Sequence, residues 1–182
     1  PGRSHISSSL VRQAARFGGD ISSFVPKPHT PFQWYAQNTT AEINRKQQLL
    51  KENIKDKSIS FKYHDARTSY MEGVFARGDR RLSKVIMEAW KQGAKFDGWS
   101  EYFNLDTWKE AMEKNNLSID FYANRERSYD EVFPWDHIDV GVSKKFLIRE
   151  NEKAKSDTVT PDCRHKCNAC GINAHDIVRG MC

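Results

Sequence analysis

The stretch Asp79-Arg80-Arg81-Leu82-Ser83-Lys84-Val85-Ile86-Met87-Glu88-Ala89-Trp90-Lys91-Gln92-Gly93 has the clearest period in the sequence. Leu82, Val85, Ile86, Ala89 and Trp90 recur at i, i+3, i+4, i+7 and i+8, the spacing of one helix face. Asp79 is suited to start the helix and Gly93 to end it, and Trp90 is expected in the core. On either side of it the chain also reads as helical. Arg67 to Ala76 forms one helix and Asp106 to Asn115 another, with Trp108, Ala111 and Met112 turned inward. Ser143 caps a further helix beginning Lys144-Lys145-Phe146-Leu147.

Upstream, the reading changes. Leu10 to Phe17 is expected to be a short helix stopped by Gly18-Gly19, and Asp20 to Val25 a brief strand. The prolines at 26, 28 and 31 cannot supply ladder donors, so they hold an extended, stiff loop that presents Lys27, His29 and Thr30. Thr39 or Thr40 caps a helix over about 41–56, with Ile43, Leu50 and Ile54 on one stripe beside Gln47. Ser58 to Tyr63 alternates as a half-buried strand, and Ile119 to Tyr122 is a candidate strand. From about Asn151 the chain turns polar, which reads as a linker. The expected fold class is therefore α/β: the end of a partial barrel over 1–63, a small mainly helical domain over 64–150, and a linker with a cysteine-rich metal-binding module over 151–182.

The chain has 182 residues, 38% hydrophobic and 29% charged, and its five Trp, ten Phe and six Tyr suffice for a modest core. A net charge of +5 permits anionic partners without demanding them. No apolar run approaches the roughly 20 residues of a membrane span, and no signal peptide is recognisable. The sequence starts at Pro1, which suggests a fragment or a processed product.

All four cysteines lie at the far end, as Cys163, Cys167, Cys170 and Cys182 in the pattern C-x3-C-x2-C-x11-C. A terminal cluster reads better as a metal site in a reducing cytoplasm than as a disulfide framework. Thiolates three and four residues apart can converge on one centre where the chain turns tightly, and Gly171 favours such a turn. Arg164, His165 and Lys166 would favour the thiolate forms. Four ligands suit zinc, and all-cysteine ligation equally suits an iron–sulfur cluster. The fourth ligand is open between Cys182, His165, His175 and a vacant position.

Several longer strings resemble one family. These are Ile21-Ser-Ser-Phe-Val-Pro-Lys-Pro-His-Thr-Pro-Phe-Gln-Trp34, Gly73-Val-Phe-Ala-Arg-Gly-Asp-Arg-Arg81, Ala94-Lys-Phe-Asp-Gly-Trp99, Phe133-Pro-Trp-Asp-His-Ile-Asp-Val-Gly-Val-Ser143 and Thr160-Pro-Asp-Cys163. They are similar to the carboxy-terminal part of cobalamin-domain-linked radical S-adenosylmethionine (SAM) proteins. The resemblance implies that 21–34 ends a barrel, with His29 and Thr30 near substrate or SAM. It implies a missing amino-terminal portion that holds the SAM-cleaving 4Fe–4S cluster and a cobalamin-binding-like domain. Cys163, Cys167 and Cys170 have the family's SAM-cluster spacing, but only twelve residues follow Cys170 and Ala169 replaces the usual aromatic. They are expected to form an auxiliary or structural centre instead. The family places another cysteine soon after Cys-Gly, where this chain has Ile172-Asn173.

Other candidates are weighed against plain structural roles. His64, Asp65 and Arg67 could be polar groups at a strand end. Asp136, His137 and Asp139 have spacing suited to proton transfer or metal binding. Arg77, Arg80, Arg81 and Lys84 form a basic patch that could meet RNA phosphates, with Trp90, Trp99, Tyr102 and Phe103 available for stacking. Two functions follow: part of a radical SAM iron–sulfur enzyme with RNA as a candidate substrate, or a non-enzymatic zinc knuckle that binds nucleic acid.

Overall fold

The computed structural model describes residues 22–54 and 62–175. Among them are six helices and no strand: α1 Thr40–Asn53, α2 Ala66–Ala76, α3 Leu82–Lys91, α4 Leu105–Lys114, α5 Ile119–Ala123 and α6 Lys144–Lys155, followed by a 3-10 turn at Ile172–His175. The expected α/β class and barrel end are therefore corrected to an all-helical arrangement. Ser22–Val25 and Lys62–Tyr63 belong to no strand, while the remainder of those two expected strands and the expected helix at 10–17 lie outside the described residues. None of the helices is long and apolar enough to cross a membrane.

Local chemistry sets most helix starts. Thr39, Asp65, Asn104, Ser118 and Ser143 each accept a main-chain N–H of the first turn on a side-chain oxygen, a cap worth about 1 kcal/mol. Ser118 decides the segment expected as a strand. Its hydroxyl takes the Phe121 N–H, and Ile119, Tyr122 and Ala123 are buried at i, i+3 and i+4. Three helices end in Schellman closures with a left-handed residue just past the cap: Gly93 after α3, Asn116 after α4 and Asp157 after α6. In each, the following N–H reaches back to the third-last helical carbonyl, as Ala94 does to Ala89 at 3.0 Å.

The main core gathers α2 to α5. Val74, Val85, Ala89, Ala111, Met112, Tyr122 and Ala123 are all but sealed from solvent, and each larger apolar side chain buried this way contributes about 1.5–3 kcal/mol. Helix α3 packs chiefly on α4, so only its Leu82, Val85 and Ala89 edge is covered. Ile86 and Trp90 lie on the uncovered flank. Trp90 is 56% exposed, which corrects its expected place in the core.

A second cluster forms around Trp34, Phe133, Trp135 and Leu147 of α6. The residues expected as an extended proline loop instead turn tightly over 28–35. His29 adopts a left-handed φ of 55°, its N–H goes to Gln33 Oε1 at 3.0 Å, and the Thr30 hydroxyl donates to the Lys27 carbonyl at 2.8 Å. Proline suits the corners of such turns as well as extended chain. Helix α6 runs on to Lys155 through the expected linker. Asn151 is buried, donates to the Pro31 carbonyl at 2.6 Å and accepts from the Tyr129 hydroxyl.

Two arginines join the clusters. Arg77 is 1% exposed and donates to the carbonyls of Ala123 and Arg125, both at 2.9 Å. Arg127 is 6% exposed and donates to the Arg77 carbonyl at 3.0 Å, while its own N–H meets the Trp34 carbonyl at 2.8 Å. Burial, then repulsion from Arg127 and Arg125, pushes the Arg77 guanidinium down to about 10, so it stays charged at neutral pH. Above these arginines Gln37 donates to the Ser69 carbonyl at 2.7 Å, and its side chain lies against Gly73.

Two substitutions test this packing by urea unfolding. Arg77→Lys keeps the charge but cannot fork across two carbonyls, so stability is expected to fall by about 1–3 kcal/mol. In Gly73→Ala the new Cβ would stand 1.7 Å from Gln37 Oε1. The clash is expected to outweigh the roughly 1 kcal/mol that alanine gains in a helix, for a net loss.

Candidate metal centre at the cysteine turn

The segment after α6 is short of apolar residues, so polar contacts define its shape. Asp162 starts a turn by accepting the Arg164 N–H at 2.9 Å, and its carbonyl takes the His165 N–H at 3.0 Å. Asn168 closes the turn onto the Pro161 carbonyl at 2.7 Å. Ala169 then takes a left-handed φ of 49°, which aims its N–H at Cys167 Sγ at 3.4 Å. Main-chain N–H groups directed at cysteine sulfur are among the levers that tune thiolate metal centres.

This turn is fastened to the helical body. The Ser143 N–H donates to the Cys170 carbonyl at 2.8 Å while the same residue's hydroxyl caps α6. Arg149 of α6 donates to the Asn168 carbonyl. Gly171, at φ 111°, passes so close that a Cβ there would lie 3.1 Å from the Ser143 nitrogen.

The thiols themselves are not gathered. Cys163 and Cys167 are exposed and Cys170 is half-buried. Among the described residues no three His, Cys, Asp or Glu side chains stand together as a metal-holding group. Cys182 lies outside those residues, and the same holds for the side chain of His175; His165 is exposed. Arg164 forms an ion pair with Asp162 at 2.6 Å, so its charge is already engaged. The donor set still fits a thiophilic centre in kind: three thiols within eight residues, one already served by a main-chain N–H. Metal binding and local folding are coupled in such segments, and ligands converge as the metal arrives.

The remaining candidates fall elsewhere. Thr30 is occupied by its own turn. His29 keeps Nε2 buried without a hydrogen-bond partner, in a turn away from any barrel. Asp65 caps α2 and pairs with Arg67 at 2.7 Å. Asp136 accepts the Phe133 N–H at 3.0 Å and pairs with Lys144, Asp139 accepts the Gly141 N–H, and His137 is exposed. Of the expected basic patch, Arg77 is buried and Arg81 is paired with Asp79 at 2.6 Å, leaving Arg80 and Lys84 exposed. Phe103 is buried, whereas Trp99 and Tyr102 are exposed. Sequence reasoning missed an open cleft of about 540 Å³ where Lys27, paired with Glu72, meets His64 and Ser69. Its walls come from segments 40 residues apart, and no local motif links them.

Gly171→Ala is expected to loosen the turn, since a left-handed alanine costs about 1–2 kcal/mol and its methyl group crowds Ser143. Hydrogen exchange read at the Ser143 amide should speed up while the amides of α3 and α4 keep their rates. No family model, curated protein or solved structure matches this chain.

Proposed function

We propose that this chain is an accessory region of a radical SAM iron–sulfur enzyme: a helical body whose terminal cysteine turn takes up an auxiliary iron–sulfur cluster. The observation that carries the reading is the fastening of the turn to α6, with a main-chain N–H already directed at Cys167 Sγ. Cys163, Cys167 and Cys170 would hold the cluster, with Cys182 as the fourth ligand. A cluster so held supplies a one-electron centre, whereas zinc would supply only a cross-link. In this proposal, SAM, its own 4Fe–4S cluster and any cobalamin belong to the missing amino-terminal portion, and the resemblance of residues 21–34, 73–81 and 133–143 supports that assignment. Reduced thiols of this kind suit the cytoplasm.

This chain's residues have definable parts in such a site. Ser143 and Arg149 hold the turn at its carbonyls, Gly171 permits the close approach, and Ala169 supplies the N–H at sulfur. The rival reading is a zinc module that works on nucleic acid without radical chemistry. It draws on the exposed rings of the loop after α3.

Anaerobic reconstitution of the full chain with iron and sulfide separates the two. The proposal expects a broad visible charge-transfer band, stoichiometric iron and acid-labile sulfide, and at least a severalfold loss of both in Cys167→Ser. A colourless protein that binds one zinc per chain would favour the rival. Equal iron content in wild type and Cys167→Ser would sink the assignment of these thiols.

A further inference from the structure

Apart from the buried Phe103, the segment from α3 into the next loop holds its aromatic side chains outside the core. Phe96, Trp99 and Tyr102 are 66%, 57% and 60% exposed, and Trp90 on the last turn of α3 is equally bare. The backbone enforces this display. After the closure at Gly93, the Trp99 N–H bonds the Phe96 carbonyl and the Tyr102 N–H bonds the Trp99 carbonyl, both at 3.0 Å. One ring therefore stands at every third residue, and the buried Phe103 anchors the series to the core. The rings meet at steep angles, Phe96 with Trp99 at 5.8 Å and 70°, and Phe96 with Tyr102 at 6.1 Å and 57°. Neither arrangement is a parallel stack, and the exposure of the three rings leaves ring surface open beside these edge contacts.

The charge around these rings favours one kind of partner. Lys84, Lys91 and Lys95 are exposed and form no ion pair among the described residues, while the nearby acids Asp79 and Glu88 are engaged by Arg81 and Lys114. Asp97 and Glu101 are the other acids of the loop. An apolar protein surface docking here would strip water from the charges of Lys91, Lys95, Asp97 and Glu101 without pairing them. A single-stranded polynucleotide meets both features, since bases stack on open rings and phosphates pair with lysines. A duplex keeps its base faces to itself.

We infer that the loop rings Phe96, Trp99 and Tyr102, flanked by Lys91 and Lys95, bind single-stranded nucleic acid. The inference holds whether the cysteine turn takes iron–sulfur or zinc.

The test is fluorescence anisotropy of the full chain with labelled oligouridine, its deoxy counterpart and a duplex of matched length. Binding of a single strand is expected, weakened about tenfold by Trp99→Ala and again by Tyr102→Ala. A Lys91→Ala, Lys95→Ala double variant should flatten the salt dependence. These side chains are exposed, so circular dichroism and thermal unfolding should match wild type. Preference for the ribose or the deoxyribose strand identifies the natural ligand, and either outcome upholds the site provided that it depends on the rings. Absence of binding, duplex binding as tight as single-strand binding, or unchanged affinity in the ring variants would overturn it. So would affinity lost in Cys167→Ser but kept in the ring variants, because that places the nucleic acid on the cysteine turn.

Discussion

Two guanidiniums buried where helices end set the terms for everything else in this fold. Among the described residues Arg77 and Arg127 form no hydrogen bond with a carboxylate; their partners are main-chain carbonyls at the ends of α5 and α2 and in the loop beyond α5. Helix carboxy-termini carry partial negative charge and unpaired carbonyls, so a cation there answers both needs at once. The cost shows in the lowered proton affinity of Arg77. Both guanidiniums also keep an Nε without a partner among the described residues. The benefit is that one small polar layer joins two apolar clusters that would otherwise share few contacts.

The second cluster, once joined, becomes a platform. Asn151 and Gln33 fasten the turn at 28–35 to α6 and Trp135, and α6 in turn presents Ser143 and Arg149 to the cysteine segment. The position of Cys163, Cys167 and Cys170 thus traces back through α6 to the arginine layer, although none of the three belongs to an apolar cluster among the described residues.

What could be read from the sequence was whatever is written locally. The 82/85/89 and 108/111/112 periods and the Ser143 cap depend on neighbours within a turn or two, and the structure keeps them. Residues 119–122 were ambiguous because four residues fit one helical turn as well as a short strand, and the capping hydroxyl of Ser118 tipped the balance. Asn151 read as linker because hydropathy counts a buried, satisfied amide as polar. Arg77 read as surface for the same reason, and its carbonyl partners lie 46 and 48 positions away. At the cysteines, the spacing and the turn were legible. The convergence of side chains was not, because that depends on groups no spacing rule describes. Trp90 shows the limit of periodicity, which identifies a stripe but not how far a partner helix covers it.

Gln33 has a consequence of its own. Its single amide oxygen receives the His29 N–H at 3.0 Å and the Trp135 indole N–H at 2.9 Å, which fills both lone pairs. The two donors come from segments about a hundred residues apart, so one atom acts as a rivet between them. Under heat or mechanical load, separating the early turn from Trp135 breaks that indole bond. Parting the two leaves a buried indole N–H and half of the amide oxygen unsatisfied, so this corner opens only at the cost of a stranded buried donor.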